Sequence, residues 1–153
     1  MTNARSRITL SEEEQRELVE GAATLQVASI GADGRPHLVP MWFAEDDDGL
    51  LAFTTYEKSQ KIINLERDPR ITVLAETGTA YKEVRGLSID GTAEVVRDPQ
   101  VTARVLQLVG ARQSGQPRPE RDPGLEPPPA AHKRVTVRIH PERVRSWDHR
   151  KLR

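Results

Sequence analysis

The chain has 153 residues, 36% of them apolar and 4% aromatic, with 23 basic and 23 acidic side chains and no cysteine. That length fits one domain. The apolar share lies below the roughly 45–50% usual for globular domains counted with glycine, so part of the core is expected to close against a second subunit. Zero formal charge removes the footprint of a dedicated nucleic-acid binder, and the lack of cysteine excludes disulfides and thiolate metal sites or nucleophiles. No apolar run approaches the roughly 18 residues of a membrane span, and Met1 to Leu10 lacks a signal-peptide apolar region, so a cytoplasmic protein without a membrane partner is expected.

Ser11-Glu12-Glu13-Glu14 reads as a capping box opening a short helix that stops at Gly21. Thr24–Ile30 and Arg35–Ala44 are β-rich runs around Gly31-Ala32-Asp33-Gly34, whose Asp-Gly pair predicts a tight hairpin. A second turn, Glu45 to Gly49, leads into Leu50–Thr55, giving three strands expected to follow one another as a meander. Ser59–Arg67 reads as a helix with Ile62, Ile63 and Leu65 inward, ended by Asp68-Pro69. Arg70–Glu76 is the next strand. Leu87, Ile89, Ala93 and Val95 then alternate with polar residues, and Gly91 on the apolar side predicts a bulge or a close backbone approach.

Asp98-Pro99 predicts an N-cap and first helical residue, with Val101, Val105, Leu108 and Val109 as one stripe. Six of the 11 prolines fall in the segment that follows, and residues 113–131 read as a long mobile loop inserted in the single domain. Val135, Val137 and Ile139 form a closing strand, and Val144–Trp147 a short extra one. The expected fold is mainly β, a six-stranded antiparallel barrel with short flanking helices.

The four histidines are scattered without metal-ligand spacing, and no nucleophile elbow appears. The informative segment is Phe53-Thr54-Thr55-Tyr56-Glu57-Lys58-Ser59-Gln60-Lys61, where a strand gives way to a helix. Cations at a helix N-terminus oppose its dipole, at about 0.3–1 kcal/mol each when exposed. Lys58 and Lys61 among the hydroxyls of Thr54, Thr55 and Ser59 make sense if a phosphate or another anion binds there; the plainer reading is two solvated lysines. Pro40, inside Pro36-His37-Leu38-Val39-Pro40-Met41-Trp42-Phe43, restricts its strand to an edge, a bulge or a surface against a flat ligand.

Three stretches together resemble the pyridoxamine 5′-phosphate oxidase-like, split β-barrel flavin-binding superfamily: Leu25–Phe43, the run from Leu51 through Ser59-Gln60-Lys61 to Arg70, and Arg85–Val96. The resemblance implies a homodimer with cofactor in the subunit clefts, phosphate on Ser59 and Lys61 with Lys58 nearby, Thr54 and Thr55 lining the ring, and the backbone of Val39, Pro40, Met41 and Trp42 against it. Val39, Ala44 and Gly86 stand where vitamin B6 oxidases carry arginine, lysine and a cofactor-holding glutamine, so vitamin B6 oxidation is not expected. The apolar second strand and the run Asn64-Leu65-Glu66-Arg67-Asp68-Pro69-Arg70 look more like the branch using the deazaflavin coenzyme F-420. The expected activity is hydride transfer to a small organic substrate, with no catalytic side chain assigned and Tyr56, His37 and Tyr81 as candidate proton donors. The alternatives are FMN in the same cleft, or a non-catalytic flavin, haem or tetrapyrrole carrier with His37 or His140 as axial ligand.

Overall fold

The computed structural model describes residues 3–152. Seven strands, β1 (Leu25–Ile30), β2 (Pro36–Met41), β3 (Ala44–Glu45), β4 (Leu51–Tyr56), β5 (Arg70–Thr77), β6 (Arg85–Val96) and β7 (Arg134–Asp148), form one antiparallel sheet in the order β2-β1-β5-β6-β7-β4-β3. The α-helices among these residues are α1 (Ala4–Arg7), α2 (Glu12–Gly21), α3 (Gln60–Arg67) and α4 (Pro99–Gln113).

Connectivity bends this sheet. β2 and β3 are its outermost strands, yet only Trp42 and Phe43 separate them. Such a link spans at most ~11 Å, whereas seven strands laid flat would hold their edges roughly 29 Å apart. The sheet therefore curls until its edges nearly meet. Inside the curl lie Leu25, Val27, Phe43, Phe53, Val73 and Val137, each at most 1% exposed. Burying side chains of this size contributes about 1.5–3 kcal/mol apiece.

The strands differ from those expected in two places, and the first raises their number from six to seven. The predicted strand 35–44 breaks at Trp42-Phe43, because Phe43 turns into the core and the chain crosses the gap between the sheet's edges. The predicted short strand 144–147 is instead the second half of β7, which runs 15 residues. Its register against β6 slips between Asp90 and Gly91, where Gly91 faces Pro141 and a Cβ would strike the His140 carbonyl oxygen, so the bulge expected at Gly91 is present. The meander is also corrected. β2 pairs with β1, and β4 pairs with β7 and β3, so β2 and β4 are not neighbours.

Local signals mostly hold. The Ser11 and Glu14 capping box forms, and Asp98 caps α4 with Pro99 leading it. At the hairpin only Gly34 takes a positive φ, at 82°, so the turn is a type I turn closed by a left-handed glycine and not a two-residue hairpin with two positive angles. In α3, Ile62 and Leu65 are buried but Ile63 is 49% exposed, being a third of a turn away, and Asn64 takes the inward position. In α4 the buried residues are Thr102, Ala103, Val105 and Leu108; Val101 and Val109 are only half-buried. Thr102 bonds Thr136 at 2.9 Å, because α4 covers the outer side of β4 and β7 and buries both of their faces.

Candidate anion and cofactor site

The junction of β4 and α3 is built by hydrogen bonds across six residues. Lys61 Nζ donates to Thr55 Oγ1 at 3.0 Å, and Thr55 Oγ1 donates to Ser59 Oγ at 3.3 Å. Thr55 is buried, while Ser59 and Lys61 are half-buried. Ser59 occupies the N-cap of α3 without capping it through its side chain, and the amides of Gln60 and Lys61 find no acceptor among the described residues. Free amides, a hydroxyl pair and an ammonium therefore converge where the helix dipole is positive, an arrangement that accepts an anion.

The helix bearing this site is fixed to the sheet. Asn64, fully buried, donates from Nδ2 to Ser29 Oγ at 3.1 Å and accepts from Gln60 Nε2 at 2.9 Å. Arg67 donates to the Ile30 carbonyl at 2.6 Å.

Burial pushes the Lys61 ammonium below its usual pKa, with the nearby Arg134 guanidinium adding repulsion. Among the described residues no carboxylate lies within ion-pair distance of Lys61 or Arg134. Arg134 carries its guanidinium carbon 4.4 Å from the centre of the Tyr56 ring. Sequence reasoning missed Arg134, which lies 80 residues from Thr54 and reaches the site only through the pairing of Tyr56 with Arg134 between β4 and β7.

Of the nine residues nominated from sequence, Thr55, Ser59 and Lys61 form this cluster. Thr54 is buried beside it, its carbonyl 3.5 Å from Arg134 Nη1. Lys58 is exposed and makes no hydrogen bond or ion pair to a described residue. Val39, Pro40 and Met41 lie on the edge strand β2, with Trp42 just beyond it, apart from this cluster. Ala44 pairs with Ala52, so β4 onward to Thr54–Tyr56 and β2 backward to Val39 leave that point in the same direction, but β2 turns to pair with β1. Two unpaired strand edges thus diverge from Phe43 and leave backbone groups open to a flat heterocycle. Pro40 does sit on an edge strand, as expected. Leu38 and Trp42, alternating with Val39 and Met41, are 64% and 63% exposed.

Of the candidate proton donors, only Tyr56 adjoins the cluster. His37 lies opposite Ser29 on β2 with Nδ1 buried and unpartnered. Tyr81 is 72% exposed and meets the His149 ring at a tilt of 54°, the ring centres 4.7 Å apart.

A family model described as pyridoxamine 5′-phosphate oxidase matches residues 11–148. The chain belongs to that family. Among solved structures, a conserved hypothetical protein from Mycobacterium tuberculosis is 44% identical, with a TM-score of 0.85 over 99% of this chain and 92% of that one. An F-420 reductase is 28% identical, with a TM-score of 0.64 over 84% of this chain and 94% of the other. A FAD-binding protein from Mesorhizobium loti, 20% identical with a TM-score of 0.67 over 90% and 94%, shares the fold. No curated protein matches the chain.

At Gly86, where the resemblance implies a glutamine in vitamin B6 oxidases, the Trp147 ring lies so close that even a Cβ would collide with it. A glutamine side chain has no room there while Trp147 keeps its place.

Proposed function

We propose that this chain is a homodimeric reductase that takes hydride from the reduced deazaflavin coenzyme F-420, anchored by its phosphate at Thr55, Ser59 and Lys61. The observation that carries the reading is the half-buried Lys61, whose charge is desolvated, repelled by Arg134 and met by no carboxylate among the described residues. Burying a cation costs free energy unless an anion joins it. A phosphate at the N-terminus of α3 offsets that cost and also takes up the free amides.

The residues fit the group in a second respect. The diverging edges of β2 and β4 present unpaired backbone donors and acceptors of the kind that hold the rim of a flat ring. When bound, the reduced coenzyme supplies the hydride. The chain's part is to fix the phosphate through Lys61 and the two hydroxyls, orient the ring through backbone groups, and exclude water with Trp42 and a second subunit. The exposed Leu38 and Trp42 on one side of β2 support a subunit contact beside the cleft. Resemblance to an F-420 reductase over 84% of the chain favours the deazaflavin over FMN.

Fluorescence titration with coenzyme F-420 tests the reading. Binding at micromolar coenzyme is expected, weakened about 10–100-fold in Lys61→Ala, the loss typical of one charge-assisted hydrogen bond. A yellow protein as purified, with FMN identified by mass spectrometry, would replace the coenzyme while keeping the site. Unchanged binding in Lys61→Ala would sink the phosphate assignment.

A further inference from the structure

Arg134 opens β7 directly opposite Tyr56, the last residue of β4. Its guanidinium carbon lies over the Tyr56 ring, 4.4 Å from the ring centre, and one nitrogen lies 3.5 Å from the Thr54 carbonyl oxygen. This cation–π contact holds the group in place while leaving most of its five N–H donors unused. The residue is half-buried, and it belongs to no ion pair among the described residues, unlike Arg104, Arg118 and Arg138. It is also close enough to Lys61 for the two charges to repel. Two neighbouring cations held without a counter-charge are unfavourable by themselves and become favourable around an anion.

We propose that Arg134, held against Tyr56, is a second phosphate-binding residue of the site, so that a phosphate ester is held jointly by the Lys61 ammonium and a guanidinium that no described carboxylate neutralises. Tyr56 is then a positioning residue, acting through Arg134. This rests on the reading that Ser59 and Lys61 receive a phosphate, and extends it to a residue on a different strand.

Inorganic phosphate is the first probe, titrated into the intact protein and followed by the amide resonances of Gln60 and Lys61. Those resonances are expected to move in the wild type, and Arg134→Ala is expected to weaken phosphate binding at least about tenfold, with Arg134→Lys recovering part of the loss. Tyr56→Phe keeps the stacking face and should bind as the wild type does; Tyr56→Leu should bind several-fold more weakly. Tyr56 is 60% exposed, so neither change disturbs the core. Removing Arg134 also relieves the repulsion on Lys61, so the pH at which phosphate binding is lost on the alkaline side should move upward. That shift reports the nearness of Arg134 to Lys61, whereas the loss of phosphate affinity reports that Arg134 binds the anion.

Unchanged phosphate affinity in a folded Arg134→Ala protein overturns the inference; if that variant fails to fold, Arg134→Gln is measured, and unchanged affinity there overturns it equally. Coenzyme F-420 is the second probe. Phosphate binding that depends on Arg134 in a protein that does not bind the coenzyme would leave the inference standing and sink the proposed cofactor.

Discussion

The chain holds two concentrations of charge that contrast in how they are paired. In the acidic turn after β3, carboxylates face guanidiniums: Asp46 accepts from Arg138 at 2.7 Å, Asp48 from the same arginine at 2.5 Å, and Asp47 from Arg104 at 2.9 Å and Arg118 at 3.0 Å. Asp46 also accepts from the amides of Asp48 and Leu50, both at 2.9 Å. At the junction of β4 and α3, Lys61 and Arg134 face each other's charge and no described carboxylate. The first arrangement neutralises itself and is structural. The second, on the reading proposed above, is completed by an anion.

The sharpest way to break this contrast is to remove one arginine from the paired cluster. Arg138 is 19% exposed and serves Asp46, Asp48 and Glu94 together. Arg138→Ala leaves the buried Asp46 carboxylate beside two like charges, and should cost about 2–4 kcal/mol in denaturant unfolding. Phosphate or coenzyme affinity should be unchanged. The opposite pattern is expected of Lys61→Ala, with binding weakened and stability not reduced. Loss of binding in Arg138→Ala with the fold intact would mean that the two clusters are not independent.

A smaller effect comes from acid. Hydrogen bonds from Arg104, and then from Arg118, hold the Asp47 carboxyl at about 2, below its ordinary 3.8. Because the folded value is the lower one, this pair's stabilisation is present above 3.8 and disappears as pH falls toward about 2. Its size is at most about 2.5 kcal/mol before solvent screening. Arg104 and Arg118 also tie the proline-rich segment to this turn, through the carbonyl of Glu120 at 3.1 Å and that of Glu45 at 2.9 Å. Proteolysis of residues 113–131 should therefore accelerate over the same acid range, and a flat cleavage rate would detach the segment from the turn's ionisation.

What could be read from the sequence divides by distance along the chain. Thr55, Ser59 and Lys61 sit within one strand-to-helix turn, so spacing and helix electrostatics were enough to group them. The capping box and the Asp98 cap are likewise local. Arg134 joins the site only because β4 pairs with β7, and nothing in the residues near Lys133 announces that pairing. The break at Trp42-Phe43 was hidden because an apolar residue entering the core looks the same as one continuing a strand. Thr102 and Thr136 were hidden for a related reason, since two buried hydroxyls that satisfy each other leave no apolar pattern. Gly86 marked a departure from the vitamin B6 oxidases, but its physical cause, the Trp147 ring pressed against it, required the β6 and β7 register.

The least of the expected effects separates the clusters by the sign of their pH dependence. Burial, followed by repulsion from Arg134, lowers the Lys61 pKa from 10.5. Between the lowered value and 10.5 the unfolded chain carries a proton that the folded chain has released, so stability rises with pH through that window and levels off above it. Asp47 loses stabilisation on acidification; Lys61 sheds a penalty on alkalinisation. Saturating phosphate supplies the missing counter-charge, moves the Lys61 pKa back up and flattens the rise. Denaturant unfolding from neutral pH to 10.5, with and without phosphate, measures both curves. An alkaline rise that persists unchanged in phosphate, or in Lys61→Ala, would assign it to another group and remove the electrostatic ground for treating the two clusters as opposites.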